Sequence, residues 1–263
     1  MTTFPRQLNQ YQSPPFDPQY ANVGLLLGPY NLDTPNAAAT TCKDYSANNH
    51  TMQMTVGATN FQINSGGGPF GSNSFRFTSD TGLRPNPATA SPSLVFGVGD
   101  YTIEGWFLFE NTPALLAGVQ AYIVNGDGGG SYNTIWLVST NTSGFSQYHV
   151  RSPTFNVQTM GFGPASTAPS SNVWTYVAVS RNSGQLRLFV GYEGQANCNV
   201  VGPTANASNL GVTSTFGIFS GSTGSLVAGS ANPRRMSNIR VTKGVGRYSG
   251  SSLPVPTGPW PTK

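Results

Sequence analysis

Charged side chains are scarce in this sequence: Asp, Glu, Lys and Arg make up 8% of its 263 residues, against about 25% in average usage. The formal net charge is only +4, and the basic residues are spread along the chain apart from Arg234, Arg235, Arg240, Lys243 and Arg247. That cluster has no interleaved aromatic platform, which argues against nucleic acid as a partner and reads instead as a solvated or subunit-facing strand end. Cysteine is nearly absent. Cys42 and Cys198 lie far apart and form no CxxC or Cys/His metal spacing, so two unpaired thiols are expected, with one long-range disulfide as the alternative. No apolar run of about 18 residues is present to cross a bilayer as a helix, and residues 1–20 lack the basic-then-apolar pattern of a signal peptide. The expectation is a chain made and folded in a cytoplasm, with no membrane partner.

Helical periodicity is missing too: no stretch keeps a 3.6-residue repeat over three turns. What is present is 37% hydrophobic and 11% aromatic content, enough to offset chain entropy, with 32 Gly and 20 Pro marking one turn after another. The clearest element is 100–110, DYTIEGWFLFE, a long strand bounded by turn residues. Ile103, Gly105, Phe107 and Phe109 fall on one face, Thr102, Glu104, Trp106 and Leu108 on the other. A strand apolar on both faces is covered on both, so Trp106 and Phe107 are read as core.

Further strands are expected at 22–28, 51–56, 60–63, 74–78, 121–124, 133–139, 144–150, 156–160, 173–181, 185–190, 212–219 and 236–242. The segments 33–43 and 79–99 read as loop, the latter interrupted by Leu94-Val95-Phe96, and 44–50 (DYSANNH) is dense in turn formers. The count is all strand and predicts an all-β, two-sheet antiparallel sandwich of the jelly-roll kind. It divides into an extended N-terminal arm at 1–20, a body at 21–250 and a Pro-rich tail at 251–263. Phe4, Tyr11, Phe16 and Tyr20 are too apolar for a free linker and are read as subunit contacts.

Motifs for catalysis are absent. The Gly-rich loop at 65–72 lacks the Lys and following helix of a phosphate cradle. His50 and His149 are the only histidines, and neither has a Gly-x-Ser-x-Gly elbow to serve. Glu104 and Glu110 share a strand face but are separated by roughly 20 Å, too far to flank one glycosidic bond, so Glu104 is read as a structural acceptor for loop amides or an Arg. The chain is therefore expected not to be an enzyme and to need no cofactor. The one metal candidate is calcium, at Asn125 and Asp127 with Asp80, although Asn125-Gly126-Asp127 is equally a hairpin turn. Tyr132, Tyr192 and Trp260 are candidates for ligand binding by stacking on a sugar, or for local packing.

Seven segments in order, DPQYANVGLLLG (17–28), DYSANNH (44–50), FGSNSFRF (70–77), GDYTIEGWF (99–107), WTYVAVSR (174–181), QLRLFV (185–190) and SNIRVTKGVGRY (237–248), resemble the concanavalin A-like, laminin-G-like jelly-roll domains of tailed-phage virion proteins. The sequence departs from that pattern at Gly191 and Asn238, where acidic residues are usual. The resemblance implies a non-enzymatic structural protein on the virion exterior, first of all a capsid decoration or cement protein. Its arms would bind neighbouring capsid or tail subunits, as part of a homo-oligomer. The alternative is a tail or fibre glycan-binding module that recognises host surface polysaccharide.

Overall fold

In the computed structural model, residues 16–28, 32–54, 61–77, 82–86, 91–110, 119–125, 134–140, 147–151, 158–161, 172–207, 216–218 and 234–263 are described. In chain order their strands are β1 (Val23–Leu27), β2 (Thr41–Lys43), β3 (Thr51–Met54), β4 (Phe61–Asn64), β5 (Ser74–Phe77), β6 (Leu83–Asn86), β7 (Tyr101–Phe109), β8 (Val119–Asn125), β9 (Thr134–Thr140), β10 (Gln147–Arg151), β11 (Gln158–Gly161), β12 (Thr175–Asn182), β13 (Gln185–Tyr192), β14 (Asn199–Ala205), β15 (Phe216–Ile218) and β16 (Arg234–Lys243). They form two antiparallel sheets of eight strands. One runs β14-β13-β12-β7-β16-β5-β4 with β1 also on β16, and the other runs β11-β10-β9-β8-β15-β6-β3-β2. The expected all-β two-sheet sandwich is the observed one.

β7 is central to the first sheet, hydrogen-bonded to β12 on one edge and β16 on the other. Its two faces are both buried, as its sequence predicts. Tyr101, Ile103 and Phe107 join Leu25, Phe61, Phe75, Val177, Leu188 and Ile239 in the core between the sheets, to which the second sheet contributes Cys42, Met52 and Leu83. Trp106 and Leu108 point the other way, into a second apolar cluster with Tyr176, Phe189, Val255 and Trp260. The outer cover of that face comes from Phe70, which meets Trp106 edge-on, and from the C-terminal tail. The expected C-terminal tail is not a free arm: Pro254 bridges Asn197, the Cys198 amide donates to Leu253 O at 2.8 Å, and Val255 and Trp260 are buried.

Of the arm expected at 1–20, residues 16–20 are described. Asp17 is buried in the body and its amide donates to Lys263 O, while the Tyr20 hydroxyl donates to Tyr45 O at 2.5 Å. Of the proposed subunit contacts, Phe16 is exposed, Tyr20 is tied into its own chain, and Phe4 and Tyr11 lie outside the described residues.

Of the basic cluster in the sequence, Arg240 is buried, while Arg235, Lys243 and Arg247 are half-buried. Arg240 binds Glu104 Oε1 at 2.8 Å and Asp17 Oδ2 at 3.0 Å, and Arg247 binds the same Asp17 oxygen at 2.8 Å. Glu104 Oε2 accepts from the hydroxyls of Tyr176 (2.6 Å) and Tyr248 (2.7 Å), so its role as a structural acceptor for an Arg holds. Burial alone would raise the Asp17 carboxyl, but Arg247, the Gln19 amide and Arg240 together hold it below its ordinary value. Arg235 and Arg76 meet on Glu110.

Asn238, where an acid was expected, sits in a left-handed conformation (φ 51°) at a bulge between Ser237 and Arg240. The bulge lets β16 pair with β5 before it and with β1 after it. It also brings Ile239 against Gly105 of β7, where an added Cβ would collide with the Ile239 side chain. The β12-β13 hairpin turns on Ser183 and Gly184, both at positive φ (50° and 71°), the conformation that suits a two-residue hairpin loop.

Two strands, β2 and β6, fall in segments that read as loop, and β14 falls where no element was expected. Leu94-Val95-Phe96 overlaps a 3-10 turn at Pro92–Leu94 rather than a strand.

Two stability predictions follow from this geometry. Gly105→Ala should cost about 1–3 kcal/mol in urea unfolding, because the core around Ile239 must shift. Glu104→Ala should cost about 3–5 kcal/mol by the same measurement, since it leaves the buried Arg240 charge underpaired.

Candidate functional site

The open edge of the sandwich carries a groove of about 630 Å³. Its main wall is the segment from Leu32 to Tyr45, which strings the two sheets together. Asn36 exchanges both backbone hydrogen bonds with Ile63 of β4, and Thr40 O accepts the Met54 amide beside β2. The turn formers of 44–50 add Tyr45, Asn49 and His50 to the wall, in a turn held together by Asp44. Its Oδ1 accepts the amides of Leu26 (2.9 Å) and Ser46 (2.8 Å), and its Oδ2 accepts the Ser46 hydroxyl (2.8 Å) and the His50 amide (3.0 Å). A side-chain acceptor of this kind replaces backbone partners in a tight turn. His50 is held in turn by Ser93, with Nε2 and Oγ 3.0 Å apart.

Asp33 supplies the groove's unusual group. Its backbone is fixed by the Asn73 side-chain amide, which donates to Asp33 O at 2.8 Å. Its carboxylate is buried at 7% exposure. Oδ1 accepts from the Tyr45 hydroxyl at 3.5 Å, the Lys43 backbone amide also acts on the carboxylate, and Oδ2 has no partner within hydrogen-bond geometry among the described residues. Burial pushes the carboxyl up to about 6, against the opposing pull of the Lys43 backbone amide, the Tyr45 hydroxyl and the Lys43 charge. The same burial, with Asp33 beside it, pushes the Tyr45 hydroxyl up to about 12. Lys43 is exposed at the rim, its Nζ 5.2 Å from the centre of the Tyr45 ring. Cys42, a free thiol, is buried in the same wall.

Of the ligand and metal candidates, the described ones, Trp260, Tyr192 and Asn125, do not line this groove. Trp260 packs instead of presenting a stacking face. Its Nε1 donates to Asn238 O at 2.7 Å, and the Arg240 guanidinium lies 4.1 Å from its ring centre. Tyr192 is half-buried at the end of β13, opposite Thr175. Asn125 ends β8, with its backbone paired to Ile135 and Phe216, while Asp127, Tyr132 and Asp80 lie outside the described residues. Among the described residues no three His, Cys, Asp or Glu side chains come together as a metal group. Asp33, Lys43 and Tyr45 carry no motif. The one sequence signal near them is the run of turn formers from Asp44 to His50.

No family model and no curated protein matches the chain. Solved structures do. The chain is similar to the binding domain of Paraclostridial Mosquitocidal Protein 1 (TM-score 0.60, 14% identity, 86% of this chain and 49% of that one). It is similar also to the botulinum neurotoxin serotype D binding domain (TM-score 0.60, 11% identity, 86% and 49%). A third likeness is to botulinum neurotoxin type C, whose cell entry depends on interaction with two ganglioside molecules (TM-score 0.55, 13% identity, 85% and 48%). At such identities the likeness establishes the fold alone, and the chain spans about half the length of these structures. They are toxin binding domains, not virion proteins, so the sandwich is what the comparison supports.

The buried carboxylate makes a prediction about pH. Because the Asp33 carboxyl titrates higher folded than unfolded, its neutral form favours the fold, and that contribution fades as pH rises from about 4 to 6. Asp33→Asn should remove this component, so that the stability difference between variant and wild type, followed by urea unfolding, grows in the variant's favour across that interval.

Proposed function

We propose that the chain is a non-enzymatic saccharide-recognition module and that the groove at the sandwich edge holds the sugar. The observation that carries this reading is the groove's composition. A concave site lined by Thr and Asn side chains, the Tyr45 hydroxyl and a buried carboxylate with an unfilled acceptor has the mixture of shape and convergent polar groups that fixes a polyol. The binding domains that share the fold, one of them from a toxin whose entry depends on gangliosides, support the same reading. A host surface glycan is the natural partner in that case.

Capsid cement is the weaker role, because it called for two free arms and the C-terminal one is seated in the body. The outside of a particle remains a suitable place for a recognition module.

The test is a glycan array probed with wild type and with Thr41→Arg, an exposed position on β2 that lines the groove. Wild type should retain a defined set of glycans, and the variant should lose at least about tenfold in affinity, roughly 1.4 kcal/mol, with an unchanged melting temperature. Retention that ignores the filled groove, or no retention by wild type, would overturn the reading.

A further inference from the structure

We propose that the groove selects an uncharged sugar over an acidic one, and that Asp33 is the selecting residue, its free Oδ2 accepting from a sugar hydroxyl. The inference rests on the saccharide reading above and names the ligand class.

Three observations converge on it. First, Asp33 Oδ2 is the one carboxylate oxygen among the described residues that is buried without a hydrogen-bond partner. A buried acceptor in that condition destabilises the fold, and a donor on a ligand is what would satisfy it. Second, Asp33 is the one carboxylate that lines the groove, and neither it nor Asp44, which lies in sequence between the lining residues Lys43 and Tyr45, is in an ion pair among the described residues. Asp44 already accepts four hydrogen bonds from its own turn and β1, so it offers a ligand nothing but its charge. Third, the cation at hand is the Lys43 ammonium, which is exposed at the rim over Tyr45 and screened by water.

An acidic sugar seated in the groove would therefore set its carboxylate against the poorly screened Asp33 charge, with one solvated positive charge in return. An uncharged pyranose meets no such repulsion. One hydroxyl donates to Asp33 Oδ2, while the exposed Thr34, Thr41 and Asn49 side chains, which also line the groove, can serve its neighbours. Charge-assisted hydrogen bonds to a carboxylate are about twice as strong as neutral ones, so this single acceptor can dominate selection.

The experiment compares arrayed oligosaccharides on the same backbones with and without a terminal sialic acid, read with wild type, Asp33→Asn and Thr41→Arg. The melting temperature of each variant is recorded at pH 7. Wild type should favour the unsialylated member of each pair by about tenfold or more. Asp33→Asn should lose that binding by a similar factor while melting higher than wild type, because it removes a buried charge and keeps the side-chain volume. A residue that merely supported the fold would lower the melting temperature when replaced, and that result would overturn the assignment.

Preference for the sialylated members, or undiminished binding by Asp33→Asn, would sink the inference. It would leave the saccharide reading standing so long as Thr41→Arg still abolished binding. Failure of wild type to retain any glycan would remove both.

Discussion

The guanidinium of Arg240 is the point on which this architecture turns. It lies under Trp260 and between two carboxylates, Glu104 from the centre of β7 and Asp17 from the segment ahead of β1. An unpaired cation in that position would cost several kcal/mol, so the arrangement stands only while all its partners are in place. Those partners come from distant parts of the chain, and Glu104 is itself held by the hydroxyls of Tyr248, after β16, and Tyr176, from β12. A sheet whose two faces are both apolar needs a second cover besides the opposing sheet. Here the C-terminal tail provides part of it together with Phe70, and the ion-pair cluster ties the segment ahead of β1 to the sheet.

Scarcity of charge sharpens the meaning of each acid that is present. Asp17, Glu104 and Glu110 are consumed by arginines, and Asp44 by the amides and hydroxyl of its own turn. Asp100 accepts the Ser183 amide at a hairpin, and Glu193 accepts the Phe70 amide. Asp33 stands apart: it is buried like Glu104 but lacks a cation, and burial raises its carboxyl where Arg partners lower those of Asp17 and Glu110. Partnerless buried charge is a cost that folding gives no reason to keep, and such groups concentrate where a ligand is meant to complete them.

Much of the fold was legible because β7 and the β12-β13 hairpin carry strong local signals. Their alternation assigned Ile103 and Phe107 to one core and Trp106 to another, which is how the two clusters divide. The strands missed are those whose formation is decided by neighbours. β2 is three residues long with only Cys42 buried, β6 carries Pro85, and β14 is a largely exposed edge containing Gly202 and Pro203. The candidate site was hardly legible. Trp260 looks like a stacking platform in sequence, yet its environment is set by Arg240 and by the return of the tail across the sheet. Asp33 sits in a stretch with no period and no motif, and its burial depends on Tyr45, Asn73 and the wall around them, none of which can be read from spacing.

A sandwich must do something with the edges where its two sheets part, since unpaired strand edges invite unwanted pairing. In this chain the segment from Leu32 to Lys43 solves that problem at the β2 and β4 edges, bridging Asn36 to Ile63 on one side and continuing into β2 on the other. The bridge is irregular backbone, so it cannot fill the space beneath it as a strand would, and the groove is the volume left over. Closure of the edge and creation of a concave polar site are thus the same structural event. Such a site can change its lining side chains without disturbing β7, β16 or the charge cluster, because it shares with them only the wall of the core. That separation allows a destabilising carboxylate to persist in the groove while the stability of the body is secured elsewhere.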